Sequence, residues 1–196
     1  MEITAAMVKE LRAQTNAGVL DCRKALENAG GDMAKAAEFL REKGLAAAAK
    51  KADRVTKEGL IGHYIHTGSK VAALVEVNCE SDFVARTELF QSLIRELAMQ
   101  VVAARPTYVK IEDITPEALD ELKNQFRLTI DEGKTPEQAA KILDGKLGKY
   151  YEENVLLEQP YIKDESMKVK DLITQTIAKL GENIQVRRFA RLEVGG

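Results

Sequence analysis

One stretch of this sequence, NCESDFVAR at 78–86, sets two carboxylates, Glu80 and Asp82, beside a large apolar ring, Phe83. Paired carboxylates at a turn offer general acid–base chemistry, and with a histidine they would suit a small hydrolase. The same residues also fit two uses without catalysis. Ser81 or Asp82 has the side chain of a helix N-cap, with Phe83 closing the core beneath it. Alternatively, an aromatic anchor beside a charge on a rigid strand–helix junction has the make-up of a protein-binding hot spot. Residue types leave all three uses open.

The rest of the chain supplies few companions for an acid pair. His63 and His66 are three apart in a strand-like run, which puts them on opposite faces and keeps them from sharing one metal. The two cysteines, Cys22 and Cys79, read as reduced thiols in a cytosolic protein, Cys79 as a small buried thiol on a strand. The chain contains no GxxxxGK[ST] and no GxGxxG, and GKLGKYY sits inside a charged helical pattern with no strand before it. The expectation is a protein without cofactor or metal.

Composition narrows the class further. The 196 residues carry a net charge of −2, with 45% apolar and 31% charged residues, enough for a real core in one or two domains. Positive and negative side chains are interspersed; KK at 50–51 and RR at 187–188 form no basic face, so no direct nucleic-acid contact is expected. No run approaches the ~18 apolar residues of a membrane span. The first fifteen residues mix acid and base into their apolar pattern, unlike a signal peptide. A soluble cytoplasmic protein is expected.

The elements that must position NCESDFVAR are marked by changes of period. Three short helices fill the first fifty residues. Thr4 caps the first (Met7, Val8, Leu11 inward), TNAG at 15–18 breaks it, the second carries Val19, Leu20, Cys22 and Leu26 to Gly30–Gly31, and Asp32 caps the third up to Gly44. From Gly59 the period falls to two: GLIGHYIH, a TGS loop, then KVAALVEVNC with Val71, Ala73, Val75, Val77 and Cys79 on one face. Leu89, Phe90, Leu93, Ile94, Leu97 and Val101 mark a helix, two Thr-Pro-Glu starts open two more, 168–181 reads as another, and NIQVRRFARLEV as a third strand. The expected class is α+β: a three-helix bundle over 1–53, a helical linker over 46–58, and a core over 54–196 with a mostly antiparallel three-stranded sheet packed by helices.

Four blocks carry a family resemblance. EITAAMVKELRAQTNAGVLDCRKAL, VEVNCESDFVAR, LLEQPYIKD and GENIQVRRFARLEV are similar, in the same order, to blocks of the elongation factor Ts family, the nucleotide exchange factors of elongation factor Tu. The resemblance implies a ubiquitin-associated-like N-terminal bundle and a guanine-nucleotide exchange factor, not an enzyme. It implies that Asp82 and Phe83, flanked by Ser81 and Val84, enter the GTPase and displace elements that hold its Mg²⁺. It also implies that Arg12, Val19, Leu20, Arg23 and Lys24 grip the same partner, although bundle core is an equal reading for Val19 and Leu20. An interaction module without exchange activity is the alternative.

This sequence departs from the family pattern at several positions. The family's turn glycine is Asn16, which tolerates the left-handed conformation; its Met-Met pair is Val19-Leu20, and the Thr before Asp-Phe is Ser81. The chain is short after residue 105 and holds one full sheet, so dimerisation through that sheet or the adjoining helices is expected, as a lone three-stranded sheet exposes an edge.

Overall fold

The hydroxyl of Thr4 accepts a hydrogen bond from the Met7 N–H (3.3 Å) at the start of α1 (Ala5–Thr15) in a computed structural model that describes residues 3–15, 17–131 and 133–195. The left-handed role expected of Asn16 lies outside the described residues. Helix α2 (Val19–Asn28) stops before the glycine pair, and Asp32 caps α3 (Met33–Ala49) by accepting from the Lys35 N–H at 3.0 Å. Val8, Leu11, Cys22, Ala25, Leu26 and Ala36 form the bundle core, at the helical spacings that put one stripe of each helix inward.

Helix α3 does not stop at Gly44, as the sequence led us to expect. It runs on because Ala46–Ala49 are the strongest helix formers and outweigh one glycine, which costs about 1 kcal/mol. Of the stretch expected as a helical linker over 46–58, only 46–49 is helix. Turns follow to Arg54, and β1 (Glu58–Ile65) then begins. Residues 50–54 carry charge without an apolar stripe, and a helix with nothing to pack against is not sustained.

The chain divides into two compact units built from separated segments. One comprises Met1–Gly59, Asn78–Gln91 and Ile173–Gln185; the other comprises Leu60–Val77, Ser92–Leu172 and Val186–Gly196. In all there are eight α-helices among the described residues and a mostly antiparallel three-stranded sheet, the mixed α/β architecture expected from the sequence. Its strand order is β1–β2–β5, with β2 (Val71–Cys79) in the centre and β5 (Ile184–Glu193) at the far edge. On β2, Ala73, Val75, Val77 and Cys79 are buried and alternate with more exposed residues, the period-two pattern of a sheet with one covered face.

Within the second unit, α5 (Glu88–Ala104) covers that face so closely that a Cβ at Gly62 would collide with the side chain of Ile94. Glycine there is a packing requirement, not a turn signal. Thr115 and Thr135 cap α6 (Pro116–Leu128) and α7 (Pro136–Asn154), each with proline in the first turn. A second, two-stranded antiparallel sheet of β3 (Pro160–Tyr161) and β4 (Asp164–Lys168) was not foreseen, because strands this short show no alternation. Helix α8 (Val169–Leu180) follows.

Glu158 joins these elements, lying 2.9 Å from Lys170 Nζ and 3.2 Å from Lys168 Nζ. Burial pushes its carboxyl up, but hydrogen bonds from both lysines outweigh this and hold it below its ordinary 4.5. Burial pulls Lys168 down, yet Glu152 and Glu158 leave it above its ordinary 10.5. A depressed carboxyl adds stability above its unfolded pKa and loses it as pH falls through the folded value; a raised lysine adds stability below its unfolded pKa. The contribution is therefore complete between 4.5 and 10.5. Glu158→Gln should flatten the fall in melting temperature below about pH 4.5, read by calorimetry; an unchanged acid limb would show that the ion pairs carry no net stability.

Candidate partner-binding site

Strand β2 ends by burying Cys79, whose thiol donates to the Ser81 carbonyl at 3.1 Å. Burial pushes this thiol up, and the negative charge of Glu182 adds to the effect. Cys79 is therefore held as an unreactive thiol. The next residue but one, Ser81, is extended (φ −132°, ψ 153°), and its Oγ accepts from the Val84 N–H at 3.3 Å. It caps the short helix α4 (Asp82–Ala85), as one of the two sequence options proposed.

One turn of helix separates inward from outward side chains. Val84 is 5% exposed and Ala85 is buried, whereas Phe83 is 77% exposed. Phe83 thus does not close the core. Val84 holds the tip down from inside, and the ring stands in solvent above it. Thr87 donates to the Val84 carbonyl (2.7 Å) and accepts from the Phe90 N–H (3.3 Å), so α5 starts with its own cap immediately after. The ring is carried by a short piece of chain fixed at both ends.

The charges sort into different roles. Asp82 is exposed and pairs with Arg86 at 2.8 Å, an i, i+4 surface pair that a partner's groups could replace at little cost. Glu80 accepts from the Asn183 N–H at 2.6 Å and lies 3.5 Å from Arg54. It therefore works inside the fold, and the pair Glu80–Asp82 does not converge as an acid pair would. Glu182 and Asn183, which contact the tip from the turn after α8, were missed by sequence reasoning. More than a hundred residues separate them from it, and a polar GEN turn carries no periodic signal.

The second group of expected contact residues lies on the bundle. Arg12, Val19, Leu20, Arg23 and Lys24 are all exposed, Val19 by 51% and Leu20 by 74%. Neither Val19 nor Leu20 is core, because Cys22, Ala25 and Leu26 take the inward positions of α2. Ile3, Val8, Arg12, Val19 and Arg23 line an open groove of ≈ 330 Å³. Apolar floor and cationic rim together suit an acidic, amphipathic surface. Among the described residues no three His, Cys, Asp or Glu side chains are grouped as a metal site, and no helix is long and apolar enough to cross a membrane.

The described residues thus present an exposed aromatic ring on a capped turn and, on the bundle, an apolar groove with a cationic rim. Comparison with known proteins gives the family. A family model described as Elongation factor TS matches residues 5–176. The chain is 56% identical over 194 residues to Elongation factor Ts of Moorella thermoacetica, covering 98% of this chain and 96% of that protein. It is 52% identical to Elongation factor Ts of Carboxydothermus hydrogenoformans (98% and 89% covered) and of Thermodesulfovibrio yellowstonii (100% and 98% covered). The chain belongs to the elongation factor Ts family.

Proposed function

We propose that this chain is the guanine-nucleotide exchange factor of elongation factor Tu, acting in the elongation cycle of cytoplasmic protein synthesis and performing no covalent chemistry. The observation that carries the reading is Phe83. A large ring 77% exposed on a capped, doubly anchored turn has no purpose in this fold and is the geometry of a preformed wedge. In this mechanism Phe83 inserts into the GTPase, Asp82 brings charge beside its nucleotide site, and Ser81 and Val84 hold both in place. Mg²⁺ is among the largest local charges in a nucleotide site, so moving its ligands greatly weakens phosphate binding. The factor stabilises the empty GTPase, and by linkage GDP and factor weaken each other's binding by equal factors. The test is release of fluorescent GDP from purified elongation factor Tu, which this chain should accelerate; release at the spontaneous rate would end the proposal.

The bundle supplies grip in the same reading. Leu20→Asp should leave the fold intact, since Leu20 is exposed and near the start of α2, where an acid is favourable. It should raise the concentration of factor needed for half-maximal release by about tenfold, as for an interface anchor. An unchanged half-saturating concentration would remove Leu20 from the interface. The three-helix bundle, ubiquitin-associated-like in this reading, would then need another role.

Homodimerisation completes the proposal. Ile61, Ile65, Leu74 and Leu192 are exposed on the strands of the three-stranded sheet, and a second copy would cover them. Light scattering of the eluted peak at about micromolar concentration should give twice the chain mass; a monomer with full exchange activity would refute the dimer.

A further inference from the structure

Glu182 follows α8 at Gly181, whose φ of 78° turns the chain back toward the tip. Its carboxylate is wholly engaged there. Oε2 accepts from the backbone N–H of Glu80 (3.1 Å) and of Ser81 (3.0 Å), and Oε1 accepts from the Ser81 hydroxyl (2.6 Å). The link is reciprocal, because Glu80 accepts from the Asn183 N–H. Asn183 is itself buried and donates through Nδ2 to the carbonyls of Ala52 (3.1 Å) and Arg54 (2.9 Å). The tip, the turn after α8 and the chain leaving α3 are thus tied in one knot.

The consequence lies in the single hydrogen of the Ser81 hydroxyl. A serine donates once. With that hydrogen directed at Glu182, the hydroxyl is fixed in rotation and one of the two lone pairs of Oγ faces the Val84 N–H, which is the cap that starts the helix carrying Phe83. Three charge-assisted hydrogen bonds on one carboxylate form a stronger and more directional hold than neutral ones. We infer that Glu182 is a positioning residue for nucleotide exchange: it fixes the Ser81 cap and, through it, the direction of the Phe83 ring. This rests on the exchange reading above and deepens it.

The experiment compares wild type, Glu182→Gln, Phe83→Ala and the double variant in fluorescent GDP release from elongation factor Tu, over a range of factor concentrations. Glu182→Gln keeps the volume and removes the charge. It should lower the maximal release rate by about tenfold while moving the half-saturating concentration by less than about threefold, because a misaimed wedge fails after docking. In the Phe83→Ala background it should cost no more than about twofold further, since there is no ring left to aim. In the free protein, the amides of Glu80 and Ser81 should exchange with deuterium at least about tenfold faster in Glu182→Gln, with β2 amides unchanged. Should Glu182→Gln fail to fold, Ser81→Ala replaces it and should show the same split in release kinetics. A Glu182→Gln rate equal to wild type, multiplicative losses in the double variant, or unchanged tip amides would each overturn the positioning role. Failure of the wild-type chain to accelerate release would instead overturn the exchange reading, and the positioning role with it.

Discussion

Phe83→Ala should slow GDP release from elongation factor Tu by roughly thirtyfold or more, the cost of truncating a hot-spot aromatic of at least about 2 kcal/mol. The fold should be untouched. The ring is 77% exposed, so its removal takes little apolar area out of the protein, and the cap, Val84 and Ala85 that hold the turn remain. Circular dichroism and melting temperature should match wild type while exchange collapses. That separation is the decisive feature, because a core phenylalanine would show the reverse, with 3–5 kcal/mol of stability lost as a rough range. Equal release rates for variant and wild type would refute the wedge. A fall in melting temperature matching the loss of activity would mean that the ring supports the fold.

Gln159→Leu should have the largest effect on stability, about 3–5 kcal/mol, a large part of the roughly 5–15 kcal/mol that holds a domain together. Gln159 is 2% exposed, and every polar atom of its side chain is engaged. Its Nε2 donates to the carbonyl of Ala104 (3.1 Å), the last residue of α5, and to that of Glu153 (3.0 Å), in the last turn of α7. These are carbonyls that a helix end leaves without an internal partner, so one amide caps two helices. Its Oε1 accepts from Gln100, whose own amide also reaches Pro160 and Ile162. Leucine fills the space but leaves two part-buried carbonyls and one buried N–H short of a partner, up to about 1–3 kcal/mol for each. The denaturation midpoint in urea reads this directly, and a loss below about 1 kcal/mol would show that water replaces the amide.

Much of this protein was legible from the spacing of its residues. Thr115 and Thr135 announced α6 and α7, Val71 to Cys79 announced β2 and its buried face, and the capping option for Ser81 could be read from its type before a helix. Local rules suffice there, because caps and periodicity act over a few residues. The sheet of β3 and β4 escaped because two- and five-residue strands have too little length to alternate. The continuity of α3 past Gly44 escaped because glycine marks a helix end and the alanines after it read as a separate helical linker. Gln100 does carry a signal in the sequence: it lies on the buried stripe of α5 with Leu93 and Leu97, a polar residue where only a satisfied one can sit.

What the sequence by itself determined is therefore most of the longer elements, the family and the small group of residues around Phe83, since each depends on neighbours in the chain. Only the tertiary structure decided what those residues do within the fold. It turned Phe83 outward and Val84 inward, took Val19 and Leu20 out of the bundle core, and made Glu80 an internal acceptor. It also brought Glu182 and Asn183 to the tip from a hundred residues away. Hydrogen bonds between distant segments exist only after the chain has folded, and no local pattern records which carboxylate will meet which backbone N–H.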